Sequence, residues 1–183
     1  MGHNQRQVLA VKLMNFLVTG RTPYLLVFLA CAGLLGYAYY AQFVLELPPC
    51  PLCMLQRYGF MLMGLVALVM AVHNPSSWGR WLYAVPFFGG AAWGISTAGR
   101  HLSIQGTEPD LMGGCGADWD FMVQTGWAWN ERVREAFTAT GDCTEIDWVF
   151  LGLSMPGWTL VWYVGLAVFM LWVLIAGKAS AVK

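Results

Sequence analysis

Four cysteines carry most of the reactive chemistry in this chain. Cys50 and Cys53 form a C-x-x-C pair in the run Cys50-Pro51-Leu52-Cys53, and Cys115 and Cys143 follow, separated by residues 116–142. A C-x-x-C pair can be a redox dithiol, half of a zinc site or a structural staple. Zinc would need all four cysteines to converge as thiolates, and only one pair has the C-x-x-C spacing, so no metal site is read from the sequence. A disulfide between Cys115 and Cys143 would close a long loop and suits a structural bond. One between Cys50 and Cys53 would close a two-residue ring, which removes little chain entropy and is commonly strained. The strained pair is the reactive candidate. The fifth cysteine, Cys31, lies among Ala, Gly and Leu and reads as a small buried apolar side chain.

Arg57 follows Cys53 by four residues, which on a helix puts both on one face about one turn apart. The Cys53 sulfur would then feel the positive end of the helix dipole and a guanidinium, and each stabilises a thiolate. An arginine inside an apolar run is costly. Alone it would read as snorkelling to the headgroups; beside a C-x-x-C it reads as functional. The electron acceptor is not a haem attached at Cys-x-x-Cys-His, since Met54 follows Cys53, and no Gly-x-Gly-x-x-Gly nucleotide loop opens a helix. A lipid-soluble acceptor needs only an apolar slot and a donor for a carbonyl oxygen. Arg57 can supply that donor. His101 is a second candidate, although by itself it reads as an interfacial residue satisfied by water.

These residues sit in a chain that cannot clothe a soluble surface. Of its 183 residues 58% are hydrophobic and 11% charged, against roughly 25% charged in an ordinary globular domain. An aromatic content of 15% excludes a disordered chain. The net charge is zero, and no nucleic-acid partner is expected. Four apolar stretches, 24–45, 53–72, 81–102 and 158–177, are long enough to span a bilayer; the first is read as a retained span, not a cleaved leader. They predict an all-α membrane protein, a four-helix transmembrane bundle. Pro86 should kink the third span, and Gly89, Gly90 and Gly94 should allow close helix contact.

The connecting segments carry segregated charge. Arg6, Lys12 and Arg21 in 1–23, Arg80 in 73–80, and Lys178 and Lys183 in 178–183 put these segments, and both termini, in the cytoplasm. Val8 to Val18 suggests a helix on that face, or a simple tail. The opposite side receives the short 46–52 connection and the long 103–157 loop, which holds nine of the ten acids against Arg132 and Arg134. All four redox-candidate cysteines then face a compartment where disulfides persist. Within the long periplasmic loop, Trp119, Met122, Gly126, Trp129, Val133 and Phe137 recur at helical spacing. They predict a short amphipathic helix that either lies at the bilayer interface or folds over the bundle.

Pro49-Cys50-Pro51-Leu52-Cys53 with Gln56-Arg57, the Arg100-His101 pair, Gly141-Asp142-Cys143, and the run from Phe150 to Pro156 together resemble the DsbB family of bacterial disulfide-bond formation proteins. The resemblance covers most of the chain. It implies a quinone-dependent thiol oxidoreductase of the bacterial inner membrane. A reduced periplasmic thioredoxin-like partner (DsbA-like) would attack Cys115 of a Cys115–Cys143 disulfide, and electrons would pass to Cys50–Cys53. The Cys53 thiolate would form a charge-transfer adduct with bound ubiquinone or menaquinone, assisted by Arg57. Two other readings compete. A vitamin K epoxide reductase-like enzyme also joins four helices, a C-x-x-C and a quinone, but carries its C-x-x-C on a late helix. A structural tetraspan protein would hold two inert disulfides.

Overall fold

The computed structural model describes residue 5 and residues 20–47, 49–75, 78–105, 117, 119–138, 143 and 148–180, with only the backbone of 177–180. Cys115, most of the acidic loop and the Val8 to Val18 segment lie outside the described residues. In chain order the elements are α1 (Thr22–Phe43), α2 (Pro51–His73), α3 (Gly79–Ile104), α4 (Trp119–Gln124), α5 (Trp129–Thr138), β1 (Val149–Phe150), β2 (Leu153–Ser154) and α6 (Met155–Ser180). By length and composition α1, α2 and residues Met155–Ala176 of α6 can cross a membrane. The chain is a helical membrane protein. The more polar α3 packs between α2 and α6, α1 packs on α2, and α1 and α6 touch little.

Helix ends follow local chemistry more than hydropathy. The second helix begins at Pro51, two residues before the apolar reading, because proline's fixed φ and missing N–H suit a first helical position. Cys50 is the extended residue before it (φ −66°, ψ 161°), and its sulfur accepts the Cys53 amide, the job of an N-cap side chain. Cys53 therefore stands in the first turn of α2 and does not open it. The first helix stops at Phe43, two residues early, and Glu46 follows with a φ of +55°. The last helix starts at Met155, with Pro156 tolerated in its first turn.

Tyr163 organises the core. Its ring stacks on Phe60 with centroids 4.0 Å apart, and its hydroxyl donates to the Gln56 carbonyl. Gly59 and Gly94 make room for it, since a Cβ at either would overlap the tyrosine. Gly90 likewise lets α3 approach the Gly59 carbonyl and Met63, but Gly89 faces open space and plays no part in helix contact. The third helix runs on through Pro86. Cys31 is buried between α1 and α2, where its Cβ faces Gly64, as a small apolar group would.

The segment predicted as one amphipathic helix folds as two. Gly126 takes a φ of +77° in the turn between α4 and α5, a conformation that glycine adopts without steric cost. The start of α5 is then fixed by the Ala128 amide donating to Glu131 Oε2 at 3.0 Å, half of a capping box. Trp119 and Met122 of α4 and Ala136 of α5 are buried with Leu52, Leu55 and Ile104, so this part of the loop lies over the end of the helices. Arg132 bridges it, 5.5 Å from the Trp119 ring and 5.6 Å from that of Trp129. The short β-hairpin before α6 was not expected from the sequence. Leu151 (φ +51°) and Gly152 (φ +81°) form its two-residue turn, the conformation that matches strand twist.

Candidate active site

One end of the helix assembly brings together residues that are far apart in the chain. The start of α2 supplies Cys50, Cys53, Gln56 and Arg57; the end of α3 supplies His101; the long loop supplies Cys143. Among the described residues Cys50, Cys53 and Cys143 are all thiols. Cys50 has one thiol hydrogen, for which Cys53 Sγ, at 2.9 Å, and Cys143 Sγ are alternative acceptors. The Cys50 and Cys143 sulfurs and a His101 ring nitrogen all lie within 4.8 Å of one another. The candidate Cys115 falls outside the described residues; its would-be partner Cys143 sits against the C-x-x-C.

His101 is 4% exposed and is no water-satisfied interfacial residue. Its Nε2 lies 3.9 Å from Cys50 Sγ and its Nδ1 3.9 Å from Cys53 Sγ. Gln56 Nε2 lies 3.3 Å from His101 Nδ1, and Gln56 Oε1 accepts from Thr159 Oγ1 at 2.7 Å. The imidazole is thus held against both sulfurs by a buried chain of hydrogen bonds reaching α6.

The two sulfurs outside the helices differ. The hydrogen bond from the Cys50 thiol holds Cys143 below the ordinary thiol range, against the upward push of burial and with help from the Leu52 amide. The same bond to Cys143, the one to Cys53 and burial push Cys50 well up. Cys143 is the better thiolate of the pair, and Cys50 its proton donor.

Arg57 does not snorkel. It is 8% exposed and turns toward α1, donating to Gln42 Oε1 at 2.5 Å and to the Ala38 carbonyl at 3.2 Å, with its guanidinium 5.1 Å from the Tyr39 ring. These partners are neutral, so they fix the cation without cancelling its charge. Cys53 and Arg57 line a cavity of about 660 Å³ between α1 and α6, with Tyr37, Phe60, Trp148 and Trp162 among its apolar walls. Its volume is that of a small-molecule site, largely apolar with a few convergent polar groups. A flat, lipid-soluble acceptor with carbonyl oxygens fits this donor set. Gln42 and Thr159 were not singled out from the sequence, since isolated polar residues on apolar helices form no motif; Gln56 entered only as part of the Gln56-Arg57 pair, with no role of its own. Gln56 follows Cys53 by three residues on one helix, whereas Gln42 and Thr159 stand on other helices and carry no such signal.

A family model described as disulfide bond formation protein DsbB matches residues 20–173. The chain is 48% identical over 158 residues to disulfide bond formation protein B of Xanthomonas campestris pv. campestris (strain 8004), covering 86% of this chain and 90% of that one. It is 46% identical over 152 residues to the protein of the same name from Hahella chejuensis (strain KCTC 2396), covering 81% and 89%. It is 44% identical over 158 residues to that from Marinobacter nauticus (strain ATCC 700491 / DSM 11845 / VT8), covering 86% and 94%.

Proposed function

The chain belongs to the DsbB family of disulfide bond formation proteins, and from that premise we propose that it reoxidises a periplasmic thioredoxin-like (DsbA-like) dithiol and delivers the electrons to ubiquinone or menaquinone in the bacterial inner membrane. The observation that carries this reading is the meeting of Cys143, Cys50, Cys53 and His101 at the end of an apolar cavity holding Arg57. In this reading all four long helices cross the membrane, with both termini cytoplasmic.

The relay is a chain of thiolate attacks on disulfide sulfurs. A partner thiolate attacks Cys115 of a Cys115–Cys143 disulfide; the S–S bond breaks and Cys143 leaves as a thiolate. Seated beside Cys50, Cys143 attacks Cys50 of an oxidised Cys50–Cys53 pair and displaces the Cys53 thiolate toward the cavity. The second partner thiol attacks its own mixed disulfide and leaves as a partner disulfide, freeing Cys115. Cys115 then attacks Cys143, restoring Cys115–Cys143 and leaving Cys50 and Cys53 reduced. His101, within 3.9 Å of both sulfurs, receives the proton that Cys50 gives up. Arg57 offers N–H donors and positive charge to an oxygen in the cavity and stabilises the Cys53 thiolate. A bound quinone supplies a two-electron, two-proton acceptor at Cys50–Cys53. Over one turnover the partner dithiol becomes a disulfide, and two electrons and two protons leave the chain.

The test is quinone absorbance in detergent solution with a reduced thioredoxin-like partner. Cys53→Ser should abolish quinone reduction. Cys115→Ser should block oxidation of the protein partner while leaving a small dithiol able to drive the quinone. Retained turnover with the protein partner in Cys53→Ser would sink the proposal.

A further inference from the structure

The same groups that the relay uses make up a donor set with the chemistry of a metal site. Three sulfurs and one imidazole converge, and all are buried or nearly so. The Cys50 and Cys143 sulfurs and a His101 nitrogen lie mutually within 4.8 Å. Two Zn–S bonds of ~2.3 Å at the tetrahedral angle separate sulfurs by ~3.8 Å, and a Zn–S and a Zn–N bond place S and N ~3.6 Å apart. The 3.9 Å between Cys50 Sγ and His101 Nε2 is close to that spacing. Cys53 Sγ, 2.9 Å from Cys50 Sγ, lies on the Nδ1 side of the ring at 3.9 Å and outside that mutual cluster, so it has to turn to take the fourth position.

The surroundings suit a metal as well as the four ligands do. A ligating histidine donates its other ring N–H to a fixed acceptor, which orients the ring. Here the other nitrogen, Nδ1, faces the Gln56 amide. The single hydroxyl hydrogen of Thr159 can go to Gln56 Oε1 at 2.7 Å or to the Pro156 carbonyl at 2.9 Å. With it on Pro156, Thr159 accepts from the amide NH₂, and Gln56 turns its carbonyl oxygen to His101 Nδ1–H. The Cys53 amide already donates to Cys50 Sγ at 3.3 Å, which stabilises negative charge on that sulfur. No carboxylate is involved, so the set is soft and selects a thiophilic d¹⁰ ion.

We propose that the reduced protein binds one zinc ion through Cys50, Cys53, Cys143 and His101 Nε2, with Gln56 as the orienting partner of His101. Binding displaces the thiol protons, changes no oxidation state, and ends when Cys50 and Cys53 join in a disulfide. The site therefore exists in one redox state only. Zinc held there withdraws the sulfurs from exchange and blocks the reduced form reversibly; this consequence rests on the proposed relay, whereas the binding does not.

The experiment uses the full-length protein in detergent, reduced and freed of reductant, titrated with zinc against a chromophoric chelator and with Co²⁺ as a spectroscopic substitute. One equivalent of zinc per reduced chain is expected, none for the oxidised protein, and Co²⁺ should give the intense visible bands of a tetrahedral thiolate site. Cys143→Ser and His101→Ala should each weaken binding at least tenfold and dim those bands; Gln56→Leu should weaken it ~10-fold; Cys31→Ser should change nothing. The Co²⁺ spectrum of the unaltered protein keeps the test valid if a variant misfolds. No stoichiometric binding by the reduced protein, octahedral Co²⁺, or affinity indifferent to both Cys143 and His101 would each overturn the proposal. Failure of quinone reduction with zinc binding intact would instead count against the relay alone.

Discussion

At the scale of single residues, the site works by holding polar groups where water cannot compete. Arg57 is anchored by neutral partners on α1, so its charge stays available. We expect Arg57→Ala to lose a charge-assisted hydrogen bond, ~1.5–3 kcal/mol, seen as a roughly 10- to 100-fold fall in kcat/KM for quinone. Arg57→Lys should recover only part of it, because a point charge cannot keep both α1 contacts. An unchanged kcat/KM in Arg57→Ala would remove the residue from the mechanism. Cys143 supplies a prediction with a pH sign. Its thiol sits below the ordinary range because Cys50 donates to it, so in the reduced protein its thiolate, and its alkylation, persist to lower pH than for a free cysteine. Cys50→Ala removes the donor and should move the alkylation midpoint upward; Cys50→Ser keeps a hydroxyl and should move it less. Equal midpoints in both variants would show that Cys50 does not set the Cys143 proton. Cys50, Cys53, Cys143 and Arg57, which the structure gathers at one end, were legible as candidates because their types and spacing carry chemistry unaided; Cys115 lies outside the described residues. His101 was under-read, since only the fold reveals that its ring spans two sulfurs.

At the scale of elements, hydropathy located the four long helices but not where each starts and stops. The start of α2 was decided by Pro51 and the Cys50 cap, and the break between the two loop helices by Gly126; such effects are local and override a window average. Gly89, Gly90 and Gly94 of α3 make the same point. They looked alike in sequence, yet of these three only Gly90 and Gly94 face a neighbour. Gly94→Ala pushes into the Tyr163 ring and should cost ~1–3 kcal/mol as overpacking. Gly89→Ala meets nothing and should be neutral or stabilise by up to ~1 kcal/mol through helix propensity. Thermal unfolding of the two variants in the same detergent checks this, and equal midpoints would contradict the packing described. The loop helices were visible as a periodicity, but periodicity cannot report burial. Trp119 and Met122 are buried against Leu52, Leu55 and Ile104 at the cysteine-bearing end of the long helices.

At the scale of the whole molecule, charge segregation and hydropathy both argue for one reactive face. Reporter fusions test the orientation: a reporter active only in the cytoplasm should be active after Lys183, and one active only in the periplasm should not be. The reverse pattern would invert the topology read from the basic residues. The same scale holds the feature that the sequence could not display, a cavity left between α1 and α6 because those helices barely touch. Its shape depends on the packing of separate segments, and no local pattern encodes it. A molecule entering there arrives from a two-dimensional liquid, so its concentration is a mole fraction in lipid or detergent and not an amount per volume of water. Adding detergent at constant total quinone dilutes the only phase the cavity samples. The apparent KM for quinone should therefore rise in proportion to micelle content, while the KM for a water-borne dithiol stays where it was.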